Sequence, residues 1–325
     1  MSSSGPDLRQ AVVEQALRDA ALHKALLDQL DAGIYIVDRD RRILYWNAGA
    51  ERISGYLAHE VTGHFCHGDL LMHCDNAGEV LCGKGCPLSM VMNDGKPREC
   101  TIFLRHRHGH RVPVHVRSRA IYDPDSVAIG AVEIFEEAIA PARGGLRVLQ
   151  AFGCLDALTG AAHRAYGEMR VRQSIEALNL FGIPFGWFRI GLDGSGELEH
   201  RCGHGVLDAA LKMIAATLDR NLGSFDVLTR WALTEFRIEV NHCSRLELAD
   251  LAEKLLTLVR ASSLEWWGDR LRVGISMAAV NAEHGEGLDE LETRIGAVFE
   301  SVTASGGNRF AIAHANRSEL RCLPS

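Results

Sequence analysis

The hydrophobic pattern changes period several times along this chain, and each change marks an element. From Leu8 to Leu30 apolar residues recur at helical spacing (Val13, Leu17, Ala20, Leu27) with Glu14, Arg18, Asp19 and Lys24 between them, which predicts an amphipathic N-terminal helix. Gly33 to Asp38 then reads as a strand, Arg39 to Arg42 as a polar turn, and Ile43 to Asn47 as a second strand. Asn47 suits the cap of a short helix over Ala48 to Ser54. Period-two stretches near Glu99–Leu104, Arg111–Ala120 and Ala128–Phe135 predict a half-exposed antiparallel sheet. Pro141 and the pair Gly144-Gly145 interrupt any helix between 138 and 153, which reads as a linker.

Beyond it, helices over Ala161–Leu180, Leu207–Leu218, Arg245–Ala261 and Leu288–Thr303 alternate with strands at Phe185–Ile190, Phe236–Val240 and Arg272–Ser276, and Asp226–Trp231 leads into a turn before the second of these strands. That order predicts a sheet covered by helices, and the chain as a whole an α/β (α+β) protein. The expected divisions are an N-terminal helix over 1–26, a sheet domain over 27–137, the linker over 138–153 and a second domain over 154–325.

Composition narrows the class. With 47% hydrophobic and 24% charged residues among 325, each domain is able to bury a core. No apolar run approaches the ~20 residues that cross a bilayer, and Met1 to Asp7 lacks the features of a secretion signal. A cytoplasmic protein without a membrane partner is the expectation. A formal net charge of -7 gives no global field for nucleic acid. The one basic cluster, Arg105-His106-Arg107-His108-Gly109-His110-Arg111, reads as a solvated hairpin turn centred on Gly109.

Four of the nine cysteines fall close together. The spacing from Cys66 through His73 and Cys82 to Cys86 offers three sulfurs and one nitrogen, a set suited to zinc, or to iron in a sulfur-rich or iron–sulfur site. Cys74 and His67 are alternates, and Gly83 and Gly85 let the loop curl around an ion. Reduced loop thiols and a redox switch are the other readings. No Cys-x-x-Cys-His is present for covalent haem, while a noncovalent haem on a single His stays open.

Two resemblances organise these observations. The opening strand pair with Trp46-Asn47 and Gly55-Tyr56 resembles a PAS domain over roughly Leu27 to Glu137, a five-stranded antiparallel sheet with helices. Its cysteine segment is similar to an insert of some PAS domains that precede GGDEF domains, with Cys66, His73, Cys82 and Cys86 as recurring positions. Cys154 to Ala313 resembles a GGDEF, or diguanylate cyclase, domain. The fragments are Asp156-Ala157-Leu158-Thr159-Gly160, Gly203-His204, Asp208, Arg230-Trp231, Glu235-Phe236, Gly274-Ile275-Ser276 and Gly306-Gly307-Asn308-Arg309-Phe310.

The resemblance implies what the second domain lacks. The family's first metal Asp falls on Gly191, its following acid on Asp193, and its guanine-reading Asn on Glu199; Asp208 matches the second guanine-binding residue. In the signature turn Ala232 and Leu233 replace the glycines, Thr234 replaces the metal-binding acid, and Glu235 and Phe236 remain. The family's product-binding Arg-x-x-Asp falls on Gly223-Ser224-Phe225-Asp226, without its Arg. A degenerate GGDEF domain follows, with Glu235 and Asp193 as catalytic remnants and Asp208 and Glu199 as nucleotide-binding remnants. The alternative is a weakly active cyclase using Mg²⁺ to join two GTP into cyclic di-GMP. Expected partners are a second copy, through the N-terminal helix or the PAS domain, a further protein, and GTP or cyclic di-GMP.

Overall fold

The computed structural model describes residues 19, 21–138, 153–203 and 205–313. The expected N-terminal helix is described as helix over 21–28; its earlier part, the linker from 139 to 152 and His204 lie outside the described residues.

The chain divides into two compact units. The first comprises Met1–His73, Val80–Ile102 and Val114–Ala138; the second comprises Cys74–Glu79, Phe103–Pro113 and Ile139–Ser325.

The strands of the N-terminal sheet are β1 (Gly33–Asp38), β2 (Ile43–Trp46), β3 (Arg98–Arg105), β4 (Arg111–Tyr122) and β5 (Ala128–Glu137), in spatial order β2-β1-β5-β4-β3. Helices α1 (Ala48–Ser54), α2 (Ala58–Val61) and α3 (Pro87–Asp94) fall between β2 and β3. The fully buried Asn47 sets the first corner. Its side-chain oxygen accepts from the Ala50 and Ile34 amides at 2.8 and 2.7 Å, and its amide group donates to the Leu27 and Ala32 carbonyls. One side chain thus caps α1 and fixes the entry into β1. Tyr35, Trp46 and Phe135 pack with ring centroids 5.3–6.2 Å apart and fill the sheet's inner face.

The second unit carries a six-stranded sheet of order β13-β12-β7-β9-β8-β6. Its strands are β6 (Ala162–His163), β7 (Phe185–Leu192), β8 (Val227–Ala232), β9 (Glu235–Asn241), β12 (Ile275–Asn281) and β13 (Phe310–Ile312). A separate ribbon pairs β10 (Leu264–Trp266) with β11 (Asp269–Leu271). The helices are α4 (Arg164–Phe181), α5 (Ser195–Cys202), α6 (Val206–Asp219), α7 (Arg245–Ala261) and α8 (Leu288–Ala304).

Along β9 the residues alternate strictly. Phe236, Ile238 and Val240 join the apolar cluster with α6 and α7, while Glu235, Arg237 and Glu239 point to the opposite face. There Glu239, 1% exposed, is held by Arg170 at 3.2 Å and by the Ser174 hydroxyl, both from α4.

Several expected elements shift. The helix expected from Ala161 begins at Arg164, because Ala162 and His163 pair in parallel with Thr229 and Arg230. The strand expected at Arg272–Ser276 begins at Ile275, and the β10–β11 ribbon takes the chain before it. Residues after Asp193 form α5 beyond a left-handed Gly194. The largest correction is the basic hairpin. Gly109 does turn it, at φ 89°, and Arg107 and His108 are exposed, but the flanking arginines are not solvated: Arg105 and Arg111 are each 1% exposed. A Cβ on Gly109 would lie 2.0 Å from the Ser263 carbonyl oxygen, so no other residue permits this backbone approach. Arg111 donates to the Ala261 carbonyl at 2.7 and 3.1 Å, satisfying the last turn of α7, and Arg105 pairs with Glu265 at 2.5 Å.

Candidate functional site

The turn between β8 and β9 consists of Leu233 and Thr234 and carries no positive φ. The Arg230 guanidinium closes it, with Nε donating to the Ala232 carbonyl at 2.7 Å and Nη2 to that of Leu233. Leu233 itself is 79% exposed. A turn in which backbone amides cradle a phosphate needs its main chain open; here one turn carbonyl and the one preceding it are tied to a cation.

Glu235 opens β9 opposite Gly191 on β7, and Arg189 stands opposite Arg237 in the same ladder. Two like charges directly opposite repel unless acids separate them. Glu235 supplies one such acid, accepting from Arg189 at 2.9 Å and from Arg237 at 3.2 Å. Glu292 of α8 supplies the other, bound by Arg237 at 3.0 and 3.2 Å and by the Trp187 indole N–H at 2.8 Å. Burial pushes the Glu235 carboxyl up, but the two guanidiniums outweigh it and hold the group below its ordinary value. This carboxylate is ionised and already neutralised.

The space beside Gly191 is also taken. A Cβ there would meet the Phe299 ring at 2.7 Å, and the Arg189 guanidinium lies over the same ring at 4.4 Å. Asp193 has a different task from the one expected. Its oxygens accept from the Ser276 hydroxyl at 2.6 Å and the Asn308 amide at 2.7 Å, tying β12 to the Gly306–Asn308 turn. Asp208 lies in the first turn of α6, where it and Asp156 act as negative neighbours of Arg230. Glu199 lies on α5. Asp226 caps its own loop, accepting from the Gly223 and Asn241 amides at 2.8 and 3.1 Å. Of the expected remnants, Glu235 and Asp193 are therefore engaged in structural contacts. Sequence reasoning missed Arg189, Arg237 and Phe299; the signal for the first was an arginine inside the otherwise apolar strand β7, and for the second an arginine between Glu235 and Glu239 on the charged face of β9.

In the first unit Cys66 and Cys86 are buried and Cys82 is half-buried. Burial raises the Cys66 thiol most, with Cys86, Glu133 and Cys82 adding to it. Cys82 is raised by burial and by Cys86 and Glu133, against a hydrogen bond from the His73 backbone. These three thiols thus lie within electrostatic reach of one another and of Glu133. Glu133 is fully buried on β5 and accepts from the Tyr35 and Ser118 hydroxyls, each at 2.9 Å. Burial lifts its carboxyl to about 7, limited by those two donors.

His73 is buried as well. Burial and the Arg41 charge hold the His67 imidazole below its usual range, and its Nδ1 is buried without a hydrogen-bond partner. Cys74 packs instead with Phe103 and Leu258. Among the described residues no three His, Cys, Asp or Glu side chains are arranged to hold a metal ion, so the donors do not form a ready-made metal centre. Also among the described residues, no helix is long and apolar enough to cross a membrane.

The PAS fold family matches residues 21–137, and the family described as diguanylate cyclase, GGDEF domain, matches residues 154–309. A curated relative, the probable diguanylate cyclase DgcE of Escherichia coli (strain K12), is 26% identical over 257 residues, which is 77% of this chain and 22% of that protein. The chain therefore spans about a fifth of that relative's length. Among solved structures, the diguanylate cyclase SiaD in complex with its activator SiaC from Pseudomonas aeruginosa matches with a TM-score of 0.50 at 22% identity, over 53% of this chain and 66% of that one. The GGDEF domain of DgcB from Caulobacter crescentus, solved with c-di-GMP, matches with a TM-score of 0.49 at 17% identity, over 50% and 94%.

Proposed function

From a chain that carries a PAS fold followed by a GGDEF domain, we propose a signal-transduction protein of the cyclic di-GMP class in which the PAS fold receives the signal and the GGDEF domain relays it without making the messenger. The observation that carries this reading is the bridging of Glu235 by Arg189 and Arg237, beside a Gly191 closed off by Phe299. Cyclisation of two GTP needs carboxylates free to hold divalent cations against the triphosphates. Here the surviving carboxylate already has two fixed cations, and a Mg²⁺ ion would have to enter against both of them. Purified protein incubated with GTP and Mg²⁺ or Mn²⁺ is expected to yield no cyclic di-GMP by mass spectrometry, and steady product formation would overturn the proposal. The competing reading is a weakly active diguanylate cyclase, favoured by the retained Glu235 and Asp208 and by the relative's description as a probable cyclase.

The input belongs to the thiols in this reading. Oxidants attack thiolates, and burial keeps Cys66 and Cys82 protonated, so the cluster is a slow redox sensor in this state. A soft cation such as zinc or iron displaces the protons itself. In this reading the half-buried Cys82, on the loop with Gly83 and Gly85, would close on Cys66, Cys86 and His73. Elemental analysis of protein purified without oxygen is expected to find metal that is lost when Cys82 and Cys86 are both replaced by Ser. Equal metal content in the double variant would remove the cluster from the proposal. A second copy, a partner protein, and GTP or cyclic di-GMP remain the expected partners.

A further inference from the structure

The basic hairpin tip belongs to the second unit, where it forms one wall of a cavity of about 480 Å³. Arg107, His108 and His110 line it from the tip, Lys212 from α6, and Glu265 and Trp266 from β10. The charge is one-sided. Arg107 and Lys212 are exposed cations, and the sole acid among these six, Glu265, pairs with Arg105 at 2.5 Å. Trp266 is fixed in place, its indole N–H donating to the Cys202 carbonyl at 3.0 Å. Ala209 and Ala216 give the α6 side a shallow surface.

His110 points to a ligand independently of that charge. It is 6% exposed, yet its Nε2 has no hydrogen-bond partner. Its ring stacks on His106 with centroids 4.2 Å apart. Burial, with His106, Arg220 and His108 beside it, holds it down to about 2, so the ring is neutral at ordinary pH. A neutral imidazole offers one N–H donor, and burying it unmet carries its full desolvation penalty.

We propose that this cavity binds a small phosphorylated ligand of mononucleotide size, its phosphate between Arg107 and Lys212 with a hydrogen bond from His110 Nε2, and its planar ring against Trp266. Paired cations with a neutral donor are a phosphate-binding set, and an immobilised indole is a stacking surface indifferent to base identity. The site shares no residue with the β8–β9 turn and requires no divalent cation.

The test uses the full chain with GTP as probe in EDTA, followed by calorimetry and tryptophan fluorescence. One GTP is expected to bind per chain, with quenching that Trp266→Phe reduces. Lys212 is exposed, so Lys212→Glu is expected to keep the native circular dichroism while weakening GTP at least ~10-fold. Pyrophosphate is expected to compete, but more weakly. Absence of binding overturns the proposal, as does pyrophosphate binding as tightly as GTP. It is equally overturned if Lys212→Glu leaves the affinity unchanged while Asp208→Ala abolishes it, which would place the nucleotide near the β8–β9 turn.

Discussion

Replacing Arg237 by Ala is expected to destabilise the C-terminal unit by about 3–5 kcal/mol, the cost of breaking a buried ion pair from one side. The guanidinium is 3% exposed and makes four hydrogen bonds, two to Glu292, one to Glu235 and one to the Phe236 carbonyl, and it lies 5.1 Å from the Trp231 ring centroid. Removing it leaves Glu292 and Glu235 facing each other, each about one quarter exposed. At roughly 2–4 °C per kcal/mol for a unit of this size, the melting transition should fall by on the order of 10 °C. Arg237→Met combined with Glu292→Leu is expected to recover most of the loss, because an apolar pair of similar volume carries no desolvation cost. Calorimetry on the two single variants and the double variant measures this directly. A melting point for Arg237→Ala within about 2 °C of the parent would mean that the network is not structural. The cyclase assay would then have to be repeated on a Glu235 held by Arg189 alone.

This network also shows where the sequence was legible. Strand β9 was readable from Phe236 to Val240 because its alternation is strict and one face is wholly apolar. Helix α1 fell where Asn47 placed its cap. The five-stranded sheet with its helices and the helix-covered sheet were both legible, since each follows from local period and order. What could not be read was the use made of each charge. Asp193 sits at a position of the family motif, but nothing local shows that Ser276 and Asn308, 83 and 115 residues later, will occupy its two oxygens. Likewise a Gly at 191 reads as a lost ligand; that Phe299 fills the space is a fact of packing.

The basic hairpin failed for the opposite reason. Its composition is that of a solvated turn, and the rule that charge runs face water is sound for isolated hairpins. Two pieces of backbone overrode it: the Ala261 carbonyl at the end of α7, which Arg111 satisfies, and the Ser263 carbonyl, which approaches Gly109 closely. The cysteine cluster was partly legible. Cys66, Cys82 and Cys86 do gather, but Cys74 packs into an apolar cluster, and the fully buried Glu133 gave no sign in a strand that also carries Glu136 and Glu137.

That buried carboxyl gives the second large effect. Glu133 releases its proton near 4.5 in the unfolded chain and near 7 in the fold. Between those values the folded state binds more protons than the unfolded one, so stability falls as pH rises. The loss is present in full above pH 7, absent below about 4.5, and amounts to about 3 kcal/mol at 1.4 kcal/mol per unit. Glu133→Gln keeps an acceptor for the Tyr35 hydroxyl and has no charge to bury. The variant is therefore expected to be more stable than the parent at pH 8 by up to about 3 kcal/mol, and to have no advantage at pH 4.5. Hydrogen exchange of β1 and β5 peptides, followed from pH 5 to 8 with correction for intrinsic rates, reads the difference within the first unit. A constant gap between parent and variant across that range would show that Glu133 does not titrate there. The consequence reaches the thiols, because Glu133 is a charge neighbour of Cys66 and Cys82. A group that stays protonated to neutral pH adds no negative charge to a site whose thiols must lose protons to bind a cation. If the cluster is the input, Glu133→Asp, which withdraws the carboxyl by one methylene, should shift the pH at which metal is retained, whereas a Glu133 of purely structural use would change stability alone.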